Sequence, residues 1–304
     1  MKDYLSELNE SIPVRRTPEQ HDAIFEYVRS EAEELGLNAE IELLENKHRN
    51  IVIGDVESAD AVFTAHYDTP ACSVIPNLMM PRNPVLGKVY ILTISITLAL
   101  LSLGIAYLIK HFVPQIGNAW VILYLALYFG AFFGLMRRGD NKNNYNDNTS
   151  GVAAVLSIMA KKPKNAAYIL FDNEEKGLLG SKAYNKAHKD MMKDKLVINL
   201  DCVGNGDNII VVAKPEAEKH GLYSVLKDNL VSNDEYSVYF FPQKGSSSNT
   251  DYKSFPTALS VMACKKKNKI FYTSKIHTVK DTEVNTENIT FIAEGLSRAM
   301  GDNL

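Results

Sequence analysis

Residues 89–109 and 119–136 carry no charged side chain, and only a short stretch with Lys110, Pro114 and Gly117 separates them. Crossing the hydrocarbon core of a bilayer takes about 20 apolar residues in helical form. A helix without charge on any face suits lipid better than the surface of a water-soluble domain. The two runs therefore predict a transmembrane helical hairpin over residues 87–136, with helices at about 89–109 and 119–136. Tyr107 and Trp120 lie near the ends of the runs, where aromatic rings favour the membrane interface. The other reading is a pair of helices buried in a dimerisation subdomain.

Around this insertion the chain reads as one discontinuous domain, residues 1–86 and 137–304. Thr17-Pro18-Glu19-Gln20 offers a capping hydroxyl, a proline at the first helical position and a Gln three residues after the cap. Ile24, Phe25, Val28, Ala32 and Leu35 follow at helical spacing, and Gly36 ends the pattern. Residues 39–44 and 50–54 read as paired strands, and residues 60–65 as a buried strand running into His66. Beyond the insertion, strand-like runs at 166–171, 196–200, 208–213, 237–241 and 258–263 alternate with helical patterns at 151–160, 181–189, 216–230 and 286–300. That alternation predicts an α/β fold with a doubly wound, mainly parallel sheet flanked by helices.

The 33 basic and 36 acidic side chains leave a formal charge of −3. Such a balance lacks the basic excess of a nucleic-acid binder. Cys72, Cys202 and Cys264 are widely spaced and form no CxxC pair, which argues against a disulfide framework or a thiolate zinc site and fits a reducing compartment. Residues 1–7 are too polar for a signal peptide.

Five segments place a metal-ligating side chain at or just beyond a strand end, where open α/β sheets put their sites. In His66-Tyr67-Asp68 the aspartate is placed to hold the second imidazole nitrogen of a ligating histidine. Asp147 stands where a polar loop enters an apolar helix, a position that also suits a plain helix cap. Glu174-Glu175 follows a buried strand; adjacent acids can divide metal binding from general-base work, or form a solvated acidic loop. Asp201 ends an apolar strand and needs compensation if buried, whereas Cys202 reads as a small core residue. His277 precedes the final helix and read alone is structural. Taken together, two histidines, three separate acidic sites and a tandem Glu pair describe a two-metal hydrolase centre. Zinc suits mixed imidazole and carboxylate ligands.

In these segments the chain resembles the zinc aminopeptidase family of bacterial leucyl aminopeptidases, aminopeptidase Y and glutamate carboxypeptidase II, metallopeptidase family twenty-eight. The matching residues are His66-Tyr67-Asp68, Asp147-Asn148-Thr149-Ser150-Gly151, Glu174-Glu175-Lys176-Gly177-Leu178-Leu179-Gly180-Ser181, Asn199-Leu200-Asp201 and His277-Thr278 followed by Asp281-Thr282. Ser248-Asn249-Thr250-Asp251-Tyr252-Lys253-Ser254-Phe255 is similar to the family's segment beside the substrate pocket. The resemblance runs from about Thr17 to the C-terminus and excludes the hairpin. It implies a zinc-exopeptidase fold and two co-catalytic zinc ions, one on His66 and Asp201 and the other on Glu175 and His277. It further implies Asp147 as the bridge, Glu174 as general base, Asp68 as the residue orienting His66, and Asp251, Tyr252 and Phe255 as pocket candidates. The implied activity is removal of N-terminal residues from peptides. The competing readings are a carboxypeptidase, an N-acyl amino-acid deacylase, and a catalytically dead membrane receptor or scaffold. A one-metal glutaminyl cyclase is disfavoured by the full ligand set.

Family members need only a short loop between the residues matching His66 and Asp147; here that interval carries the hairpin. Its feet therefore lie close to the active site, which suggests that the membrane helps present apolar peptides, with Pro76–Pro81 and its methionines at an entrance. Arg82, Lys88, Arg137, Arg138 and Lys142 on the domain side outweigh Lys110 on the far side. By the positive-inside rule that bias predicts a cytoplasmic catalytic domain and cytoplasmic termini, with the bilayer contacted through residues 89–136.

Overall fold

The computed structural model describes residues 2–45, 47–136 and 139–301. Helices α1 (Tyr4–Ser11) and α2 (Pro18–Glu34) lead into strands β1 (Ala39–Leu44), β2 (His48–Ile53), β3 (Ala61–His66) and the short β4 (Asn77–Met79). The long helices α3 (Pro84–Phe112) and α4 (Trp120–Met136) follow, joined by a 3-10 turn over Pro114–Ala119. The chain continues through α5 (Ser150–Ala160), β5 (Ala166–Phe171), α6 (Leu179–Ala187), α7 (Lys189–Met192), β6 (Leu196–Leu200) and β7 (Asn208–Ala213). It ends with α8 (Pro215–Lys219), α9 (Gly221–Asn229), β8 (Ser237–Pro242), β9 (Ala258–Lys267), β10 (Ile270–Ile276) and α10 (Thr286–Ala299).

Strand β3 is buried along its whole length and holds the centre of the sheet. The strand order is β1-β2-β5-β3-β6-β9-β10-β4, with β7 pairing β9 and β8. β5, β3, β6 and β9 run parallel, as do β7 and β8. The remaining pairs are antiparallel. The doubly wound pattern is thus the centre of a mixed sheet. Tight hairpins can join only antiparallel strands, and β1–β2 and β9–β10 are such hairpins. Asn268 and Lys269, between β9 and β10, both take positive φ, as a twist-matched two-residue turn requires.

Successive residues of a strand face opposite sides, and the buried residues divide accordingly. Phe63, Tyr168, Leu170, Ile198 and Leu200 pack with α5 and α10 on one face. Val62, Ile169, Phe171 and Val197 pack with Tyr184 of α6 and Met192 of α7 on the other. Several elements escape the sequence pattern, the short β4 among them. Helix α1 lies in a polar leader. The Lys265-Lys266-Lys267 run hides the last turn-ward part of β9, and β10 mixes Lys275 and Ser274 with its apolar residues, so both resemble loop. The pattern 216–230 is two helices, α8 and α9, parted at His220.

Helices α3 and α4 pack side by side and present apolar side chains outward; Leu100 is 63%, Ile122 71% and Phe133 58% exposed. α3, and α4 taken together with the turn before it (Pro114–Met136), are long and apolar enough to cross a membrane by length and composition. α3 starts earlier than the charge-free run, at Pro84 in its first turn, and keeps Lys110 and His111 in its last turn, where cations complement the helix dipole. Both feet are tied to the sheet domain. β4 pairs with β10 immediately before α3. At the end of α4 the Leu135 carbonyl accepts from the Val74 N–H at 2.8 Å and from the Ser73 hydroxyl at 3.1 Å. Arg137 and Arg138 lie outside the described residues.

Candidate metal centre

His66 is the last residue of β3; Glu174 and Glu175 follow β5, Asp201 follows β6 and His277 follows β10. The carboxyl ends of four strands thus aim these side chains at one point, and the loop before α5 brings Asp147 to meet them. Asp147 lies at the middle. Its Oδ1 is 3.3 Å from His66 Nε2, and its Oδ2 is 2.9 Å from His277 Nε2. Asp201 Oδ1 is 3.9 Å from His66 Nε2, and Glu175 Oε1 is 3.2 Å from His277 Nε2. Two ligand triads therefore share Asp147: with His66 and Asp201, and with Glu175 and His277. Glu174 groups with His66 and Glu175.

A dense backbone lattice fixes these positions. Asn148 accepts from the N–H groups of Gly151 and Cys202 through Oδ1 and donates to the Leu200 carbonyl at 3.0 Å. Asn146 Oδ1 accepts from the Gly204 N–H, and Ser150 Oγ from the Val203 N–H. The loop carrying Asp147 is thereby stitched to the loop carrying Asp201. Asp281 accepts from the Asp147 N–H at 3.0 Å and the Asn146 N–H at 3.3 Å. The cap of α5 is Thr149, so Asp147 does not serve the helix start. Its peptide bond to Asn148 is cis. His277 and Cys202 adopt positive φ, a conformation that clusters at functional sites in residues other than glycine.

Asp68 faces His66 through two oxygens. The group nearest His66 Nδ1 is the Asp68 main-chain oxygen, at 3.1 Å, with the carboxylate Oδ1 at 3.6 Å. A carbonyl can only accept, so Nδ1 carries a proton and Nε2 is the nitrogen left for a cation. The Asp68 carboxylate is taken by the backbone N–H groups of Glu174, at 2.9 Å, and Glu175, at 3.2 Å. It thus positions the Glu pair as well as facing His66. Tyr252 and Phe255, expected beside the pocket, are fully buried instead; Phe255 stacks on Phe171 at 5.6 Å between centroids. Phe255, just after the 3-10 turn Asp251–Ser254, joins the apolar layer that holds Phe171. Asp251 is also fully buried.

Arg15 is the site residue that sequence reasoning missed. It is fully buried, donates to the Tyr67 carbonyl and to the Thr149 hydroxyl, and is pulled down to about 10 by burial, against the opposing pull of Asp68. It ties the segments after His66 and Asp147 together. Nothing but its place before the α2 cap marked it.

The electrostatics fit a cation. Burial raises Glu174 well above the usual carboxyl range, and Asp251, Glu175 and Asp201 add to the rise against His66. Burial pushes His66 and His277 down, and the surrounding carboxylates more than reverse that. Asp251 is raised to about 7 by burial, and neither of its oxygens has a partner among the described residues. So many buried carboxylates are stable only with positive charge among them. Two imidazoles and three carboxylates within reach of one another are the donor set zinc accepts.

A family model described as peptidase family M28 matches residues 138–296. Among solved structures, the chain is similar to the Legionella pneumophila LapA aminopeptidase, at 14% identity over 99% of this chain and 68% of that one, with a TM-score of 0.56. It is similar to a Zn-dependent exopeptidase from Parabacteroides distasonis, at 16% identity over 98% and 96%, with a TM-score of 0.56. It is also similar to the glutaminyl cyclase of Porphyromonas gingivalis, at 15% identity over 97% and 94%, with a TM-score of 0.57. At such identities the likeness speaks for the fold. No curated protein sequence matches the chain.

Proposed function

The chain belongs to peptidase family M28, and from there we propose that it is a membrane-anchored aminopeptidase using two zinc ions. The observation that carries this reading is Asp147, with one oxygen facing each histidine, so that two triads share one carboxylate. His66 and Asp201 would hold one ion, Glu175 and His277 the other, and Asp147 both. Zinc bound there supplies Lewis acidity to a scissile carbonyl and makes water acidic near neutral pH. The residues do the rest. Glu174, raised by burial and by its neighbours, takes a proton from the attacking water and delivers it to the leaving amine. Asp68 holds the main chain of Glu174 and Glu175 so that the base does not drift from the ligand beside it. A one-metal cyclase has no use for the second triad. A carboxypeptidase or deacylase would share these residues and differ in the substrate end it grips.

Membrane anchoring rests on α3 and α4, which leave large apolar side chains uncovered along lengths that suit a bilayer. The described charges Arg82, Lys88 and Lys142 on the domain side, against Lys110 at the far end, support a cytoplasmic catalytic domain.

The test uses the full chain in vesicles with metal analysis and a chromogenic aminoacyl substrate, set beside carboxyl-terminal and N-acyl substrates. Two zinc-class ions per chain and aminoacyl hydrolysis are expected. Glu174→Gln should keep both ions and lower kcat by about 10²–10⁴-fold, whereas Glu175→Gln should lose metal. Full activity in a thoroughly metal-free preparation would end the proposal.

A further inference from the structure

Resting on that reading, we propose that the substrate is a peptide held in the bilayer. Its free amino end reaches the metal centre, and the apolar segment a few residues further on lies along α3. A single cleft of about 760 Å³ joins the two places. At one end its walls are Asp147, Glu174, Glu175, Asp201 and His277. At the other they are Pro84, Gly87, Lys88, Ile91, Leu92 and Ser95. Those six stand at i, i+3, i+4, i+7, i+8 and i+11 from Pro84, so one face of α3 forms the wall. From Pro84 to Ser95 that face rises about 16 Å at 1.5 Å per residue. Its upper part, from Ile91 to Ser95, falls within the charge-free run, and Lys88 is the last charge before that run.

The opposite wall is Leu78, Met79 and Met80, flexible apolar side chains that adapt to varied partners. On the far side of Glu175 and His277 a second cleft, about 650 Å³, reaches Phe132, Phe133 and Met136 at the end of α4. The metal centre therefore lies between the two feet of the hairpin. An anchor alone would not need a helix face and catalytic carboxylates in one cleft. A polar peptide tail on this path would lose water along Ile91 and Leu92 with nothing to bond to. An apolar tail gains contact there.

The experiment uses the zinc-loaded full chain in phosphatidylcholine vesicles and two peptides sharing their first three residues, one continuing with leucines and one with serines and glutamines. A photoreactive diazirine in the leucine segment reports binding independently of cleavage. The wild type should favour the leucine peptide in kcat/KM by about tenfold or more, the scale of apolar pocket contacts. Ile91→Ala with Leu92→Ala should remove most of that preference. Leu100→Ala, outside the cleft wall and 63% exposed, should leave it in place. The label should map to residues 84–95. Equal kcat/KM for both peptides, or a label scattered over α3 and α4, overturns the inference, even if the short aminoacyl substrate is cleaved well. If no substrate is cleaved but the label maps to residues 84–95, the aminopeptidase reading fails while the bilayer-held ligand stands.

Discussion

A methyl group added at Gly151 would meet Asn148 Oδ1 at 2.3 Å and the Leu200 carbonyl at 2.4 Å. Both atoms belong to the lattice that joins the Asp147 loop to the Asp201 loop, so neither can yield without moving a candidate ligand. Gly151→Ala is therefore expected to cost about 1–3 kcal/mol, the range for overpacking, and to weaken zinc binding as well. Denaturant midpoints and metal titration check it; normal stability with normal metal affinity would show that the loops are not locked together. The ligating residue types stood out in the sequence because chemistry restricts them to few kinds. Asp68 apart, the work of their supports did not, even where a residue such as Asn148 stood in a matching segment. Asn148 and Arg15 work by reaching partners 52 and 134 positions away along the chain, and no local spacing announces that.

At the scale of elements, the buried strands β5, β6 and β7 could be bounded to the residue because each is mainly apolar, with only Asn199 in β6 and Asn208 in β7 interrupting, and is flanked by polar loops. Strands β4 and β10 could not, since their pairing rather than their composition makes them strands. β4 has only three residues and is held by β10 at Thr273 and Ile276. The hairpin was legible from missing charge alone, yet its attachment to the sheet through β4, Ser73 and Val74 was not. The turn Pro114–Ala119 is expected on the side of the membrane away from the metal centre. Cys202 and Cys264 are buried, so with Cys72→Ser as background, Gln115→Cys reports that side. An impermeant thiol reagent should modify Gln115→Cys in intact cells and should reach a cysteine placed at Ser6 only after permeabilisation. Modification of the Ser6 position alone in intact cells would invert the orientation.

Across the whole molecule, the candidate ligands come from five separate segments between His66 and His277, so a bound metal links parts of the chain that the sheet alone brings together. A ligand that binds only the folded state adds stability by mass action, about 2.7 kcal/mol at one hundred times Kd. For a domain of this size that raises Tm by roughly 5–10 °C per ion. Wild-type protein should therefore melt higher as free zinc increases, and His66→Ala should lose one ion's share of the dependence. Equal zinc responses in the two, by scanning calorimetry, would place the stabilising ion elsewhere.

The position of β3 also sets a timetable. Both of its neighbours, β5 and β6, lie beyond the hairpin in the chain. A ribosome delivers His66 first and His277 last, with two membrane-length helices made in between. The central strand thus waits, edges open, while the hairpin is synthesised. Only then do the strands that flank it arrive. No half-made chain carries both triads, so hydrolytic power is born only after the hairpin has left the ribosome.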